Sequence, residues 1–220
     1  MSGRDEVKSL NLKIDLHVHT CYSPDAVTTL NEVVTYSKKR GLDGVAITDH
    51  DTLAGALKLR NSNLIVIPGI EITTLRGHLL ALNVTTPIPA KLDVNETIKR
   101  IHEAGGIAVA AHPTLFYKSA PSQRTAFYDA IEVINSAAVP FQLFTYLSQK
   151  LATRLNLPQT AGSDSHYGPE IGAAYTVIEA DSDVDEIVQA IKRGATIPVG
   201  RSIPLRVRLK GEALSLKRKI

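Results

Sequence analysis

Cysteine is nearly absent from this chain. Cys21 is the only one in 220 residues, so no intramolecular disulfide can form. That excludes a secreted disulfide scaffold and points to a reducing, cytoplasmic setting. Aromatic residues make up 5% of the chain, which leaves few platforms for stacking nucleic-acid bases. No apolar run approaches the ~20 residues of a membrane span, so no membrane partner is expected. The first twelve residues carry Arg4, Asp5, Glu6 and Lys8 with no apolar stretch, so no signal peptide is expected. Hydrophobic residues at 44% and charged residues at 21% are ordinary for a soluble globular protein and too apolar for a disordered one.

Charge is unevenly spread. Residues 201–220 hold seven basic side chains against Glu212, a surplus of +6. The whole chain is +3, so residues 1–200 sum to −3. A basic terminal strand and tail over 201–220 favours polyanions or is simply solvated.

Apolar periodicity alternates between strand and helix from about residue 12 to 200, with no repeat or linker. That predicts one β/α-rich domain over residues 1–220 with a barrel-like or closed parallel sheet. Helices are predicted over 29–40, 52–60, 94–104, 140–156 and 184–193. Strands are predicted at 12–19, 43–48, 64–72, 79–84, 107–111, 130–134, 159–161, 173–178 and 204–209. The link between the third and fourth strands is too short for a parallel crossover, so that pair should be antiparallel.

Six of the seven histidines (His17, His19, His50, His78, His112 and His166) fall at predicted strand ends or in the adjoining loops. Only His102 sits mid-helix, and it is given no role. On the first strand Leu12, Ile14, Leu16 and Val18 share one face, while Asp15, His17 and His19 share the other. Glu71 interrupts an apolar strand, and Asp164 and His166 follow a short one. Strand ends on one rim are where α/β barrels build their sites. Imidazoles mixed with carboxylates suit Zn, Mn or Fe rather than Mg or Ca. The pattern predicts a metal site, with Asp15 orienting a ligand from behind. Asp49 and Asp51 read as caps of the helix from Thr52 or as supports of His50.

Four motifs carry a resemblance. Asp15-Leu16-His17-Val18-His19, Thr48-Asp49-His50, Ala111-His112-Pro113 and Gly162-Ser163-Asp164-Ser165-His166 resemble, in order, those of the PHP (polymerase and histidinol phosphatase) family. Glu71 and Gly77-His78 match positions between the second and third. The resemblance runs from about Lys13 to Arg201. It implies a distorted (β/α)7 barrel and two to three divalent transition-metal ions (Zn, Mn or Fe). The first ion would be held by His17, His19, Glu71 and Asp164. A second would share Glu71 and add His78 and His112, and a third would take Asp25, His50 and His166. Asp25 stands where some members carry histidine and is similar to the nucleotide- and nucleic-acid-cleaving branches.

Cations bridged by Glu71 would lower the pKa of a shared water from 15.7 toward ~7 and neutralise charge on a phosphate ester. The expected activity is metal-dependent phosphoester hydrolysis by a metal-bound hydroxide, with Glu71, Asp164 and His112 at its centre. The expected substrate is a nucleotide, another small phosphorylated molecule or a nucleic-acid end. Candidate phosphate-binding cations are Lys118, Arg124 and Arg201, with Arg76 a further rim cation and Phe116 and Tyr117 as stacking candidates. Histidinol-phosphate phosphatase is the alternative within the class. An amidohydrolase-type C–N hydrolase and a non-catalytic barrel are the alternatives outside it.

Overall fold

The computed structural model describes residues 10–59, 63–114 and 127–218. In chain order the elements are β1 (Leu10–Val18), α1 (Leu30–Arg40), β2 (Gly44–Ile47), α2 (Ala54–Leu59), β3 (Ile65–Thr74), β4 (Gly77–Leu82), α3 (Val94–Glu103) and β5 (Ile107–Ala110). They continue with β6 (Ala130–Asn135), α4 (Phe141–Leu155), β7 (Gln159–Gly162), β8 (Ala174–Ala180), α5 (Val184–Arg193), β9 (Thr196–Gly200) and α6 (Leu205–Arg218).

Local chemistry sets the helix ends. Thr29 and Glu32 form a reciprocal capping box at the start of α1, and Gly41 ends it at φ 67°. Asp183 caps two amides of α5, and Gly194 closes it at φ 76°. Such ends satisfy amides and carbonyls that a helix leaves open.

All nine strands join one sheet in the order β7-β6-β5-β4-β3-β2-β1-β8-β9. The β3–β4 pair is antiparallel, as its short connection requires, with Thr73 opposite His78. β4 is also antiparallel to β5, while β1–β2, β2–β3, β5–β6 and β6–β7 are parallel. The barrel nearly closes where the end of β7 returns to β1. The Asp164 amide donates to His17 O (2.9 Å) and the His19 amide to Ser165 O (3.0 Å). Along the same seam Thr176 of β8 accepts from the Ala161 amide and donates to its carbonyl. The fold is therefore a single α/β domain built on a distorted barrel.

Two expectations at the C-terminal end fail. Residues 196–200, Pro198 among them, form a strand where the sequence reading places none. β9 pairs within the sheet only with β8, an edge position where a missing N–H is tolerated. Residues 205–218 are a helix, not a strand and tail. Leu205, Val207 and Leu209 alternate, but Leu205 and Leu209 are exposed, while Val207, Arg208, Gly211, Leu214 and Ser215 face inward. That spacing is helical, and the amides of Val207 and Arg208 both donate to Pro204 O.

Gly162 stands at the seam. A Cβ there would lie 2.4 Å from His17 Cβ and 2.9 Å from the His17 amide nitrogen, and backbone cannot yield at low cost. Gly162→Ala should destabilise the fold by about 3 kcal/mol and lower Tm by roughly 6–12 °C. An unchanged melting curve would show that the seam can relax.

Candidate metal centre

β1 delivers His17 and, one residue past its end, His19. The segment after β2 brings His50, which forms a lone bridge with Glu71 of β3. β4 supplies His78, the turn after β5 His112, and the segment after β7 Asp164 and His166. Asp25 comes from the loop between β1 and α1. Each of the nine residues lies within 3.5 Å of another member of the group.

Glu71 sits at the hub, 1% exposed. Its Oε2 lies 3.3, 3.1 and 3.3 Å from His17 Nε2, His19 Nε2 and His50 Nδ1. Its Oε1 lies 2.8 Å from His78 Nδ1 and 2.9 Å from His112 Nε2. Two further groups share these residues. His17, His19, Glu71 and Asp164 bring four donor atoms within 4.8 Å of one another, as do His19, Asp25, His50 and His166.

The donor set fits cations. In the first group the contacts of His17 Nε2 and His19 Nε2 with each other, with Glu71 Oε2 and with Asp164 Oδ1 are 3.1–3.4 Å. A tetrahedron with ~2.0–2.1 Å metal–ligand bonds has edges of roughly 3.3–3.4 Å. His17 Nδ1 faces Glu132 Oε1 at 2.9 Å, so that when the ring is neutral its proton sits there and Nε2 is a lone pair turned toward two carboxylates. His166 Nδ1 faces the carbonyl of Asp164 at 3.0 Å, which fixes the same tautomer. His78 Nδ1 is buried and makes no hydrogen bond despite its 2.8 Å approach to Glu71. The two atoms aim past each other, as ligands of one ion do.

Without cations the cluster balances its charge with protons. Burial opposes ionisation of Glu71 and Asp164, yet the His17 charge and imidazole hydrogen bonds hold both well below the carboxylate range. Burial opposes the charged form of His17, but Asp164, Glu132 and Glu71 lift it well above its usual value. His166 rises to about 9, with Asp25 and Asp164 outweighing burial. Asp25 is correspondingly depressed by His166 and His50 against its own burial.

The supporting residues are partly unexpected. Asp15 does not reach an imidazole. Its carboxylate accepts from the amides of His17, Ser163 and Gly172, and burial raises it to about 6. It ties β1 to the segment bearing Asp164. Glu132 orients His17, accepts from the His112 amide through Oε2, and receives Asn135 Nδ2, which also reaches Asp164. The signal for Glu132 was an acid inside the apolar Ala130-Ile131-Glu132-Val133-Ile134, the same signal that exposed Glu71. Asp49 accepts from the amide and hydroxyl of Thr20, and Asp51 from the amide of Thr73. Both brace loops instead of capping α2. His112 (φ 32°) and Asp164 (φ 53°) hold left-handed backbone, strain that surrounding contacts must fix.

A cavity of about 460 Å³ opens beside the cluster. Its lining includes Asp25, Asp164, His166 and, from α6, Arg208, Gly211 and Ser215. Arg201 and Arg76 are exposed and do not line this cavity. Lys118, Arg124, Phe116 and Tyr117 lie outside the described residues. No helix among the described residues is long and apolar enough to cross a membrane.

Removing the His17 partner should loosen metal. Glu132→Ala should weaken Zn or Mn binding by about 10- to 100-fold, read by competitive chelator titration; unchanged affinity would deny Glu132 that role. Protons and cations compete for the same imidazoles. A His pKa raised from 6.5 to about 9 stabilises the metal-free fold below about 6.5, and the contribution disappears as pH climbs through about 9. Metal uptake at pH 7 should therefore release protons, and affinity should rise from pH 6 to pH 9. Calorimetry in buffers of different ionisation enthalpy would expose a proton-neutral reaction.

Known proteins place this geometry. The PHP domain matches residues 15–138 and the PHP-associated family residues 145–196. A probable phosphatase of Syntrophotalea carbinolica is 27% identical over 210 residues, covering 78% of this chain and 88% of the relative. A two-domain Bacteroides vulgatus protein containing a predicted PHP-like metal-dependent phosphoesterase superposes with a TM-score of 0.73 at 18% identity, covering 89% of this chain and 66% of that one. A lesion-specific endonuclease of Pyrococcus furiosus superposes with a TM-score of 0.71 at 19% identity, covering 87% of this chain and 59% of that one. With the PHP domain match alone spanning more than half of its length, the chain belongs to the PHP domain family of metal-dependent phosphoesterases.

Proposed function

We propose that this protein hydrolyses phosphate esters at a site of three divalent transition-metal ions, on a nucleotide or the end of an oligonucleotide. The observation that carries the reading is the Glu71 carboxylate, buried and contacted by five imidazoles on its two oxygens.

His17, His19, Glu71 and Asp164 would hold the first ion. Glu71, His78 and His112 would hold a second, with His50 close enough to share it, and Asp25, His50 and His166 a third. Bound there, such ions supply Lewis-acid polarisation of the phosphate and activation of water at neutral pH. The chain itself supplies position and proton bookkeeping. Glu71 is held ionised and would serve as a ligand to both the first and the second ion, not as a base. Glu132 keeps the His17 proton on Nδ1, and the Asp164 carbonyl keeps the His166 proton on its Nδ1. Asp164 is further held by Asn135.

Three features support a nucleotide or strand end. Asp25 makes the outer subsite anionic and hard, the cavity volume lies within the range of small-ligand pockets, and five of the seven basic residues of 201–220 lie on α6, which borders that cavity. The lesion-specific endonuclease shares the fold.

Zn- or Mn-loaded protein should cleave p-nitrophenyl phosphate and at least one of a panel of mononucleotides and end-labelled oligonucleotides. Glu71→Gln should lose about 10³-fold in kcat, and His112→Ala should abolish turnover in a folded protein. Metal-loaded protein that leaves every phosphate ester intact but opens dihydroorotate would defeat the reading in favour of C–N hydrolysis.

A further inference from the structure

α6 roofs the cavity and is fixed in place at several points. Ser215 Oγ donates to the backbone carbonyl of Asp25 (2.9 Å), and the Arg218 guanidinium donates to the carbonyls of Cys21, Ser23 and Ala26 around it. Gly211 lets the helix lie close to the segment after His166, since a Cβ there would sit 2.9 Å from Tyr167 Cβ. The helix is thus registered against the loop of Asp25 on one side and the His166 segment on the other.

On its inner face Arg208 enters the cavity wall shared with Asp25, Asp164 and His166. Nη1 donates to the carbonyl of Ala137 at 2.9 Å, which anchors the guanidinium. Nη2 is buried with no hydrogen-bond partner among the described residues. None of the carboxylates lining the cavity pairs with it. A buried cationic donor left unsatisfied costs free energy and calls for an acceptor supplied from elsewhere. The planar fork of arginine matches phosphate oxygens. The other cations nearby are differently engaged: Lys210 lies over the Tyr167 ring, and Arg218 is taken up by backbone carbonyls.

We propose that Arg208 is the substrate-anion receptor of this site, donating from Nη2 to an oxygen of the substrate's phosphate. The assignment rests on the phosphoesterase reading for its biological meaning, and deepens it by naming the residue that selects a phosphate over a neutral ester. It also gives α6 a purpose, because the helix carries the receptor to the mouth of the cluster.

The test uses the full chain loaded with Mn, with p-nitrophenyl phosphate as substrate and inorganic phosphate as inhibitor. Arg208→Ala should raise KM and the phosphate inhibition constant together by about 10- to 100-fold, with kcat within about threefold and metal content unchanged. Arg208→Gln retains an N–H for the Ala137 carbonyl but lacks charge; it should be as impaired as alanine, while Arg208→Lys should recover part of the loss. Wild-type KM and inhibition constant in Arg208→Gln would reduce Arg208 to an anchor of α6 and overturn the proposal. So would a loss confined to kcat or to metal content. Should Arg208→Ala fail to fold, the glutamine and lysine variants decide alone. Calorimetric titration of phosphate into metal-loaded wild type and Arg208→Gln separates the two readings. A wild type that binds phosphate through Arg208 yet hydrolyses nothing defeats only the phosphoesterase reading; equal binding by both proteins defeats only the receptor.

Discussion

A buried carboxylate touching five imidazoles governs the rest of the molecule. Glu71 could not remain ionised in a barrel interior without compensating positive charge, because desolvation alone would neutralise it. The histidines come from β1, the segment after β2, β4 and the turn after β5, so the cluster is also a clasp between strands. Protons fill the role in the metal-free protein, and the proposed divalent ions would fill it in the active one. Local charge balance and fold closure are therefore one constraint.

That constraint explains features which look unrelated. Gly162 is required because β7 must approach β1 closely enough for the Asp164 amide to reach His17 O. Asp15 is buried at the same seam and accepts hydrogen bonds from three amides there. Glu132 and Asn135 of β6 reach under the cluster and fix His17, His112 and Asp164 at once. The left-handed backbone at His112 and Asp164 is tolerated because those contacts hold it. Above the cluster α6 brings a single arginine, Arg208, to a cavity wall that also carries Asp25 and Asp164, a position from which it could meet a negatively charged ligand.

Much of this was legible in the residues. His17-Val18-His19 alternates out of an apolar strand, Glu71 breaks another, and the short Thr74–Gly77 turn forces an antiparallel return that places His78 near Glu71. The candidate metal ligands stand out in the sequence because their type and position at strand ends are both unusual. Glu132 carried the same mark as Glu71 but no motif beside it. The residues of α6 read as a strand because Leu205, Val207 and Leu209 alternate over too few residues to separate the two periods, and the helix buries only Gly211 fully. Arg208 therefore passed as one basic residue in a charged tail.

What the sequence determined by itself is local: which segments are strands or helices, where turns must fall, and which side chains have chemistry to offer. These follow from short-range sterics, capping and alternation. The tertiary structure alone decided how closely those donors approach one another, which carboxylate orients which imidazole, and that a terminal helix lies over the opening. Those outcomes depend on contacts between residues more than a hundred positions apart, such as His17 with Glu132 and Ser215 with Asp25, and no local pattern encodes the distance between them.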